Sequence, residues 1–283
     1  MPTHNRPEVL EYAIHSVLAQ TYDKFELLVV GDGCTDHTGD VVGSFNDTRI
    51  RWFDLPKAPG FGYANRNLAL AEATGDLIAF LGHDNLYLLD HLERMAHLFD
   101  QNRQFRIAYS RPLWINDEGT IFPSYVNLKY PPIYRQFMTR RNVLPATTVV
   151  YRRDCHDEVG GWPEDQERNG DWHLWRKILD GHGPGVVGIV ADPTCLHFRA
   201  NWRDKQNWAP APIPYLEKMH KSVQHWPAGL QLEIGPSTNV PQKPCWELMQ
   251  QDPPRFAQQI RHGFRYLQDI LAYNAGMDPN FTR

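Results

Sequence analysis

Three carboxylates, far apart along the chain, have the type and setting that group-transfer chemistry uses. Asp32 lies in Val29-Val30-Gly31-Asp32-Gly33-Cys34-Thr35-Asp36, directly after an apolar run. A carboxylate there can accept the imide N–H of uracil or thymine, or the N1–H of guanine, whereas adenine has no comparable ring donor; Asp32 can therefore select a nucleotide base. The same Asp-Gly pair also serves as plain turn chemistry. Asp84, in Leu81-Gly82-His83-Asp84-Asn85, can hold a divalent cation against a diphosphate, with His83 or a distant histidine as a second donor. Its competing reading is a hydrogen-bonded loop. Asp171, in Asn169-Gly170-Asp171-Trp172-His173-Leu174-Trp175, can take the proton of an incoming hydroxyl as a general base. As a first-turn aspartate it would otherwise only favour the helix dipole, by ~0.3–1 kcal/mol. His197, in Cys195-Leu196-His197-Phe198-Arg199, offers an imidazole nitrogen to a metal, and Arg199 a guanidinium to a phosphate. Trp172 and Trp175 lie three apart with Ile178 continuing the stripe, which assigns Trp175 to the core and leaves Trp172 as a sugar-stacking surface.

Such residues need a scaffold, and the periodicity supplies one. From Pro7 the apolar residues Val9, Leu10, Ala13, Ile14, Val17 and Leu18 recur at helical spacing, with Pro7 suited to the first turn. Phe25 to Val30 is a short apolar run stopped by Gly31-Asp32-Gly33, the pattern of a buried parallel strand. Further strands are predicted at Ile50 to Phe53, Leu77 to Leu81, Arg106 to Ser110, Thr147 to Tyr151 and Val186 to Val190. Helices are predicted at Ala64 to Ala73, Leu89 to Phe99, Asp171 to Leu179 and Pro254 to Tyr273. This alternation implies an α/β fold: an open, mostly parallel sheet with helices on both faces, whose ligands bind beyond the carboxyl ends of the strands. Asp32 and Asp84 stand at two such ends. Residues 111–145, with Pro112, Pro123, Pro131, Pro132 and Pro145, are expected to be loops, and beyond Trp202 Pro-rich turns run to the terminal helix. The expected organisation is one domain over residues 1–200, with a nucleotide-binding half to about 110 and an acceptor half over 111–200. An irregular C-terminal extension over 201–283 follows.

Composition removes other classes of function. Hydrophobic residues are 42% and charged residues 22% of the 283, which excludes a disordered or collagen-like chain. The longest apolar stretches fall far short of the ~20 residues that span a bilayer. With 29 Lys+Arg against 33 Asp+Glu the formal charge is −4, so no nucleic acid is expected as a partner. Cys34, Cys155, Cys195 and Cys245 are isolated and nothing at the N-terminus reads as a signal peptide, so a reducing, cytoplasmic setting is expected.

Taken in order, several segments resemble the inverting family-two glycosyltransferases of the GT-A fold, and within them the spore-coat polysaccharide type. They are Pro2-Thr3-His4-Asn5-Arg6-Pro7 with the helix ending Ser16-Val17-Leu18-Ala19-Gln20-Thr21-Tyr22; Phe25 to Thr35; Ala64-Asn65-Arg66-Asn67; Gly82 to Asp90; Val159-Gly160-Gly161-Trp162; and Gly170 to Trp175. The resemblance implies that Asp32 binds the nucleotide base with Thr3 and His4 lining the same pocket, and that Arg66 and His83 lie beside the nucleotide. It implies further that Asp84 binds the metal with His197, and that Asp171 is the catalytic base. Where relatives often read Asp-Asp-Gly-Ser-Thr-Asp, this chain has Gly31 and Cys34. Where they read consecutive aspartates it has Gly82 and His83, a change expected to shift metal preference toward ions that accept imidazole nitrogen. Relatives also carry a core strand before the segment matching Pro2-Thr3, where this sequence has only Met1, so residues upstream are expected.

The function implied is transfer of a sugar from a nucleotide diphosphate, a UDP-sugar foremost, to a saccharide or other hydroxyl acceptor with inversion, aided by Mn2+ or Mg2+. Thr147 and Trp172, with Tyr125, Tyr130, Tyr134, Trp202 and Trp208, are candidates for the acceptor groove. A lipid-linked acceptor would bring the enzyme into peripheral contact with a membrane. Two other readings stand beside this one. One is a catalytically silent nucleotide-binding protein on a degenerate GT-A scaffold. The other is a nucleotidyltransferase, which needs a Gly-rich basic loop to cradle a triphosphate; Gly60-Phe61-Gly62 is too short for that and has only Lys57 and Arg66 nearby, so this reading ranks last.

Overall fold

A computed structural model describes residues 1–116, 118–198, 218–221, 223–234 and 240–274. Arg199, Trp202 and Trp208 lie outside the described residues. The first sheet is wholly parallel: β1 (Pro2–Thr3) and β3 (Ile50–Leu55) flank β2 (Leu27–Asp32). Between β1 and β2 runs α1 (Pro7–Leu18), with Pro7 in its first turn and Val9, Leu10, Ala13, Ile14 and Val17 buried. Each such side chain contributes roughly 1.5–3 kcal/mol when taken fully out of water. Strand β1 is a two-residue segment in which Pro2 and Thr3 register with Val30 and Gly31. Met1 extends the pairing, its carbonyl accepting from the Val30 N–H at 2.8 Å. After β2 comes α2 (Thr38–Ser44), and after β3 comes α3 (Tyr63–Leu70).

The second sheet has the order β10 (Val187–Val190), β6 (Ile107–Ser110), β9 (Val149–Arg152), β4 (Leu77–Ala79). Only β10 and β6 are parallel; β9 runs against both neighbours, so parallel and antiparallel pairing are mixed here. Thr147 was expected to open a strand but sits in a 3-10 turn over Ala146–Thr148, and the strand begins at Val149. A third sheet orders β5 (Leu86–Tyr87), β11 (Cys195–Phe198), β7 (Leu113–Ile115), β8 (Ile121–Pro123). Residues 111–145 are therefore not all loop: they hold the β7–β8 hairpin and α5 (Pro131–Thr139). Two further helices flank the Val159-Gly160-Gly161-Trp162 segment, α6 (Arg153–Glu158) before it and α7 (Gly170–Leu179) after it.

The C-terminal residues share a core with the third sheet. Helices α8 (Gln242–Gln251) and α9 (Pro253–Asn274) bring Trp246, Met249, Phe256, Ile260 and Phe264 against Leu86, Leu113 and Leu196. Ion pairs reinforce this contact. Arg261 and Arg94, the latter on α4 (His91–Gln101), both meet Asp90, while Arg265 meets Asp192. Burial acts to raise the Asp90 carboxyl, but the two guanidiniums hold it below the ordinary carboxylate range.

At the head of α4, His91 is fully buried, with Nδ1 2.6 Å from Thr194 Oγ1 and its ring stacked on Tyr87. Burial pushes its pKa down to about 3, against a smaller opposing effect of Asp90. The unfolded chain thus takes up this proton first. Stability is expected to fall as pH drops below ~6.5, by at most ~1.4 kcal/mol per unit, until the folded value is reached. Urea unfolding midpoints between pH 7 and pH 5 measure this, and the slope should flatten in His91→Asn.

Candidate functional site

The strand ends and the head of α7 open onto one cleft of about 1810 Å³. Asp32 reaches it from the end of β2, Asp84 from the turn between β4 and β5, and Asp171 from the first turn of α7. Thr3, His4, Arg66, His83, Thr147, Trp172 and His197 line the same cleft, so these ten candidates share one cavity. Of the further acceptor candidates, Tyr125 and Tyr130 also line it. Tyr134 instead donates its hydroxyl to the His182 carbonyl at 2.7 Å.

Asp32 is almost fully buried and richly bonded. Its Oδ1 accepts from the Ala58 N–H at 2.9 Å and the Asn65 amide at 2.7 Å, and its Oδ2 meets the Lys57 ammonium. His4 Nδ1 lies 2.8 Å from the Asp32 carbonyl oxygen, fixing β1 against this position. Gly62, at φ +71, leaves room for the carboxylate: a Cβ there would sit 2.7 Å from Asp32 Oδ2. Lys57 and Asn65 are contributors that sequence reading passed over. Asn65 stood in the quoted Ala-Asn-Arg-Asn segment, but nothing local tied it or Lys57 to Asp32.

Helix α3 is the hub of the site. Tyr63 accepts at its hydroxyl from the Gly170 N–H at 2.9 Å, joining α3 to the head of α7 one residue before Asp171. Asn67 clamps Trp162, donating to its carbonyl at 2.9 Å and accepting from its N–H at 2.8 Å. Between these anchors Arg66 is wrapped by aromatic rings, its Cζ 4.9 Å from the Tyr63 centroid, 5.3 Å from Phe80 and 4.7 Å from Trp162. It donates to the Phe61 carbonyl at 3.0 Å, and its buried Nε has no hydrogen-bond partner among the described residues. Burial lowers its pKa, opposed by Tyr63, Asp171 and Asp32.

Around Asp171 the backbone N–H of Trp172 donates to Oδ1 at 2.8 Å and the Asn142 amide approaches Oδ2 at 3.4 Å. The Trp172 indole donates to the Phe137 carbonyl at 2.7 Å, which fixes the ring that lines the cleft. Asn85 joins Asp84 to strand β11, which carries His197. The Asn85 amide donates to Asp84 Oδ1 at 3.0 Å, and its carbonyl accepts from the Phe198 N–H at 3.0 Å, next to His197. Among the described residues no three His, Cys, Asp or Glu side chains converge as a metal cluster. A carboxylate with an imidazole fits Mn2+ or Mg2+ when diphosphate oxygens and water fill the other positions. Two of the four departures from the usual motifs, Gly31 and Gly82, have a steric counterpart. A Cβ at Gly31 would meet the Trp52 ring at 2.4 Å, and one at Gly82 would meet the Asn85 amide at 2.5 Å.

Comparison with known proteins decides the family: the model for glycosyl transferase family 2 matches residues 1–160. The chain belongs to glycosyl transferase family 2. This family-2 chain is 38% identical over 199 residues to the UDP-Glc:alpha-D-GlcNAc-diphosphoundecaprenol beta-1,3-glucosyltransferase WfgD of Escherichia coli, covering 70% of this chain and 75% of that one. It is 34% identical over 194 residues to an uncharacterized glycosyltransferase of Rickettsia felis, covering 66% of this chain and 31% of that one. It thus spans just under a third of the length of the Rickettsia felis and Rickettsia conorii relatives it matches. With the crystal structure of S. aureus TarS 1-349 in complex with UDP it shares a TM-score of 0.55 at 16% identity, over 98% of this chain and 90% of that one. That likeness speaks to the fold, which is GT-A. No helix among the described residues is long and apolar enough to cross a membrane.

Proposed function

We propose that this family-2 chain transfers a sugar from a UDP-sugar to a hydroxyl acceptor with inversion at the anomeric carbon. The observation that carries the reading is the convergence of Asp32, Asp84 and Asp171 on one cleft, from elements distant in sequence. Asp32 accepts the uracil N3–H, with Thr3 and His4 beside it, and Arg66 and His83 face the rest of the nucleotide. Asp171 takes the proton from the acceptor hydroxyl as its oxygen bonds to the anomeric carbon. The bond from that carbon to the diphosphate breaks on the opposite face, and UDP leaves with the bonding electrons. Asp84 and His197 would hold Mn2+ or Mg2+, which when bound supplies charge stabilisation to the leaving diphosphate. Trp172 and Thr147 line the acceptor side. The E. coli relative is named for a UDP-Glc donor and a diphosphoundecaprenol-linked acceptor. An acceptor of that kind suits the cleft wall formed by Tyr125, Val126, Ile133 and Leu271, and it would bring the protein to a membrane surface.

The test is a panel of nucleotide sugars assayed for nucleotide release and for transfer to lipid-diphosphate and free saccharide acceptors, with Mn2+, with Mg2+ and with chelator. Turnover of a UDP-sugar, lost on chelation, is the expected result. Binding of UDP with no turnover of any donor would favour the silent binding protein instead. The donor pocket also makes a sharp local prediction. Gly62→Ala adds a methyl group against the Asp32 carboxylate at a left-handed backbone position. The conformational cost is about 1–2 kcal/mol of stability. UDP affinity measured by calorimetry should fall by about tenfold or more as the carboxylate is displaced.

A further inference from the structure

We propose that Lys57 reads the nucleotide base together with Asp32, its ammonium donating to the ring carbonyl adjacent to the N–H that Asp32 accepts. The inference rests on the reading of Asp32 as the base-binding carboxylate and adds the residue that sets which bases fit.

The hydrogen-bond inventory leads to it. An ammonium has three donors. Lys57 directs one to Asp32 Oδ2 at 2.5 Å and one to the Ala58 carbonyl at 3.1 Å, and these are its hydrogen bonds among the described residues. One N–H is left for a ligand. On the carboxylate, Oδ1 is taken by Ala58 and Asn65, whereas Oδ2 meets Lys57 alone and keeps acceptor capacity. Both residues line the cleft, with Lys57 about half exposed and Asp32 almost buried. The wall thus presents a donor beside an acceptor. Its complement is a ring carbonyl beside a ring N–H, which uracil offers on either side of N3 and guanine offers at O6 and N1. Cytosine and adenine present the reverse, an amino group beside a bare ring nitrogen. That edge would set the ammonium against an amino group and the carboxylate against a lone pair. Because the Ala58 N–H and the Asn65 amide already hold Asp32, Lys57 is not needed to position it.

Calorimetric titration of the intact chain with uridine, cytidine and UDP tests the proposal on wild type, Lys57→Met, Lys57→Gln and Asp32→Asn. Uridine carries no phosphate, so it separates base reading from attraction of the diphosphate. In Lys57→Met, uridine and UDP should both weaken by the same factor, about tenfold or more. Cytidine, which gains nothing from Lys57, should not weaken, so the preference for uridine over cytidine narrows by at least that factor while Asp32 keeps the remainder. Lys57→Gln keeps a donor and should recover part of the uridine affinity. Loss of UDP affinity with uridine unaffected, or tighter binding of both, would overturn the proposal, since Lys57 would then serve the diphosphate or merely occupy Asp32. Asp32→Asn separates the two readings. If it weakens uridine while Lys57→Met does not, only the role of Lys57 falls. If neither variant weakens uridine, the base-binding role of Asp32 falls as well.

Discussion

Asp171→Asn is expected to lower sugar transfer by about 10³-fold or more while leaving UDP affinity within about twofold of wild type, since a positioned general base is worth some 10²–10⁴ in rate. Asparagine keeps the shape of the side chain and an oxygen to accept the Trp172 N–H, which donates to Asp171 Oδ1 at 2.8 Å. What it removes is the capacity to take a proton. Asp171 also stands in the first turn of α7, where a negative charge favours the helix dipole by ~0.3–1 kcal/mol. The melting temperature should therefore drop only slightly. A variant that transfers at the wild-type rate would end the assignment of the base. A large fall in stability with activity per folded molecule retained would reduce Asp171 to its structural role. Steady-state transfer, UDP titration and thermal unfolding on one preparation distinguish these outcomes.

Arg66→Met should lose UDP affinity and transfer by about 10²-fold, yet fold at least as stably as wild type. A guanidinium set among Tyr63, Phe80 and Trp162, with one hydrogen bond to the Phe61 carbonyl, gives up hydration for cation–π contacts worth about 0.5–2 kcal/mol each. An unpaired guanidinium drawn out of water is costly to hold, so an apolar side chain of similar volume should be tolerated there. The flexible thioether of methionine fills such a space. Stability thus gives little reason for an arginine here, whereas a fixed cation facing a cleft that admits a diphosphate has an obvious use. Arg66→Lys keeps the charge without the planar fork and should fall between. A melt several degrees lower in Arg66→Met, with UDP binding unchanged, would mean the cage needs the guanidinium for folding and not for substrate.

The first 110 residues were readable because their elements obey simple periods. Helix α1 buries Val9, Leu10, Ala13, Ile14 and Val17 of the apolar residues its spacing singles out, and β2 buries Leu27, Val29 and Val30. Residues 111–145 hid their elements behind proline. Pro131 and Pro132 start α5 instead of interrupting a chain, since a helix leaves its first N–H groups unbonded. Pro123 ends β8, which among the described residues lies at the edge of its sheet, where a missing donor is tolerated. Pro244 likewise sits in the first turn of α8, a helix the sequence reading passed over. For the site, residue types and chain order pointed to Asp32, Asp84 and Asp171, but the bonds around them are long-range. Lys57 lies 25 residues from the carboxylate it meets, and Asn67 lies 95 residues from the Trp162 it clamps. No local pattern encodes such pairings. They emerge only when α3 is laid across the ends of the strands.

The amide of Gln242, at the start of α8, donates to the Asp84 main-chain carbonyl at 2.8 Å in a buried setting. The two C-terminal helices are thereby wired to the aspartate proposed to hold the ion. Chimeras that graft the tail of one relative onto the catalytic body of another, in the hope of exchanging acceptors alone, should therefore also alter manganese dependence unless glutamine 242 travels with the body.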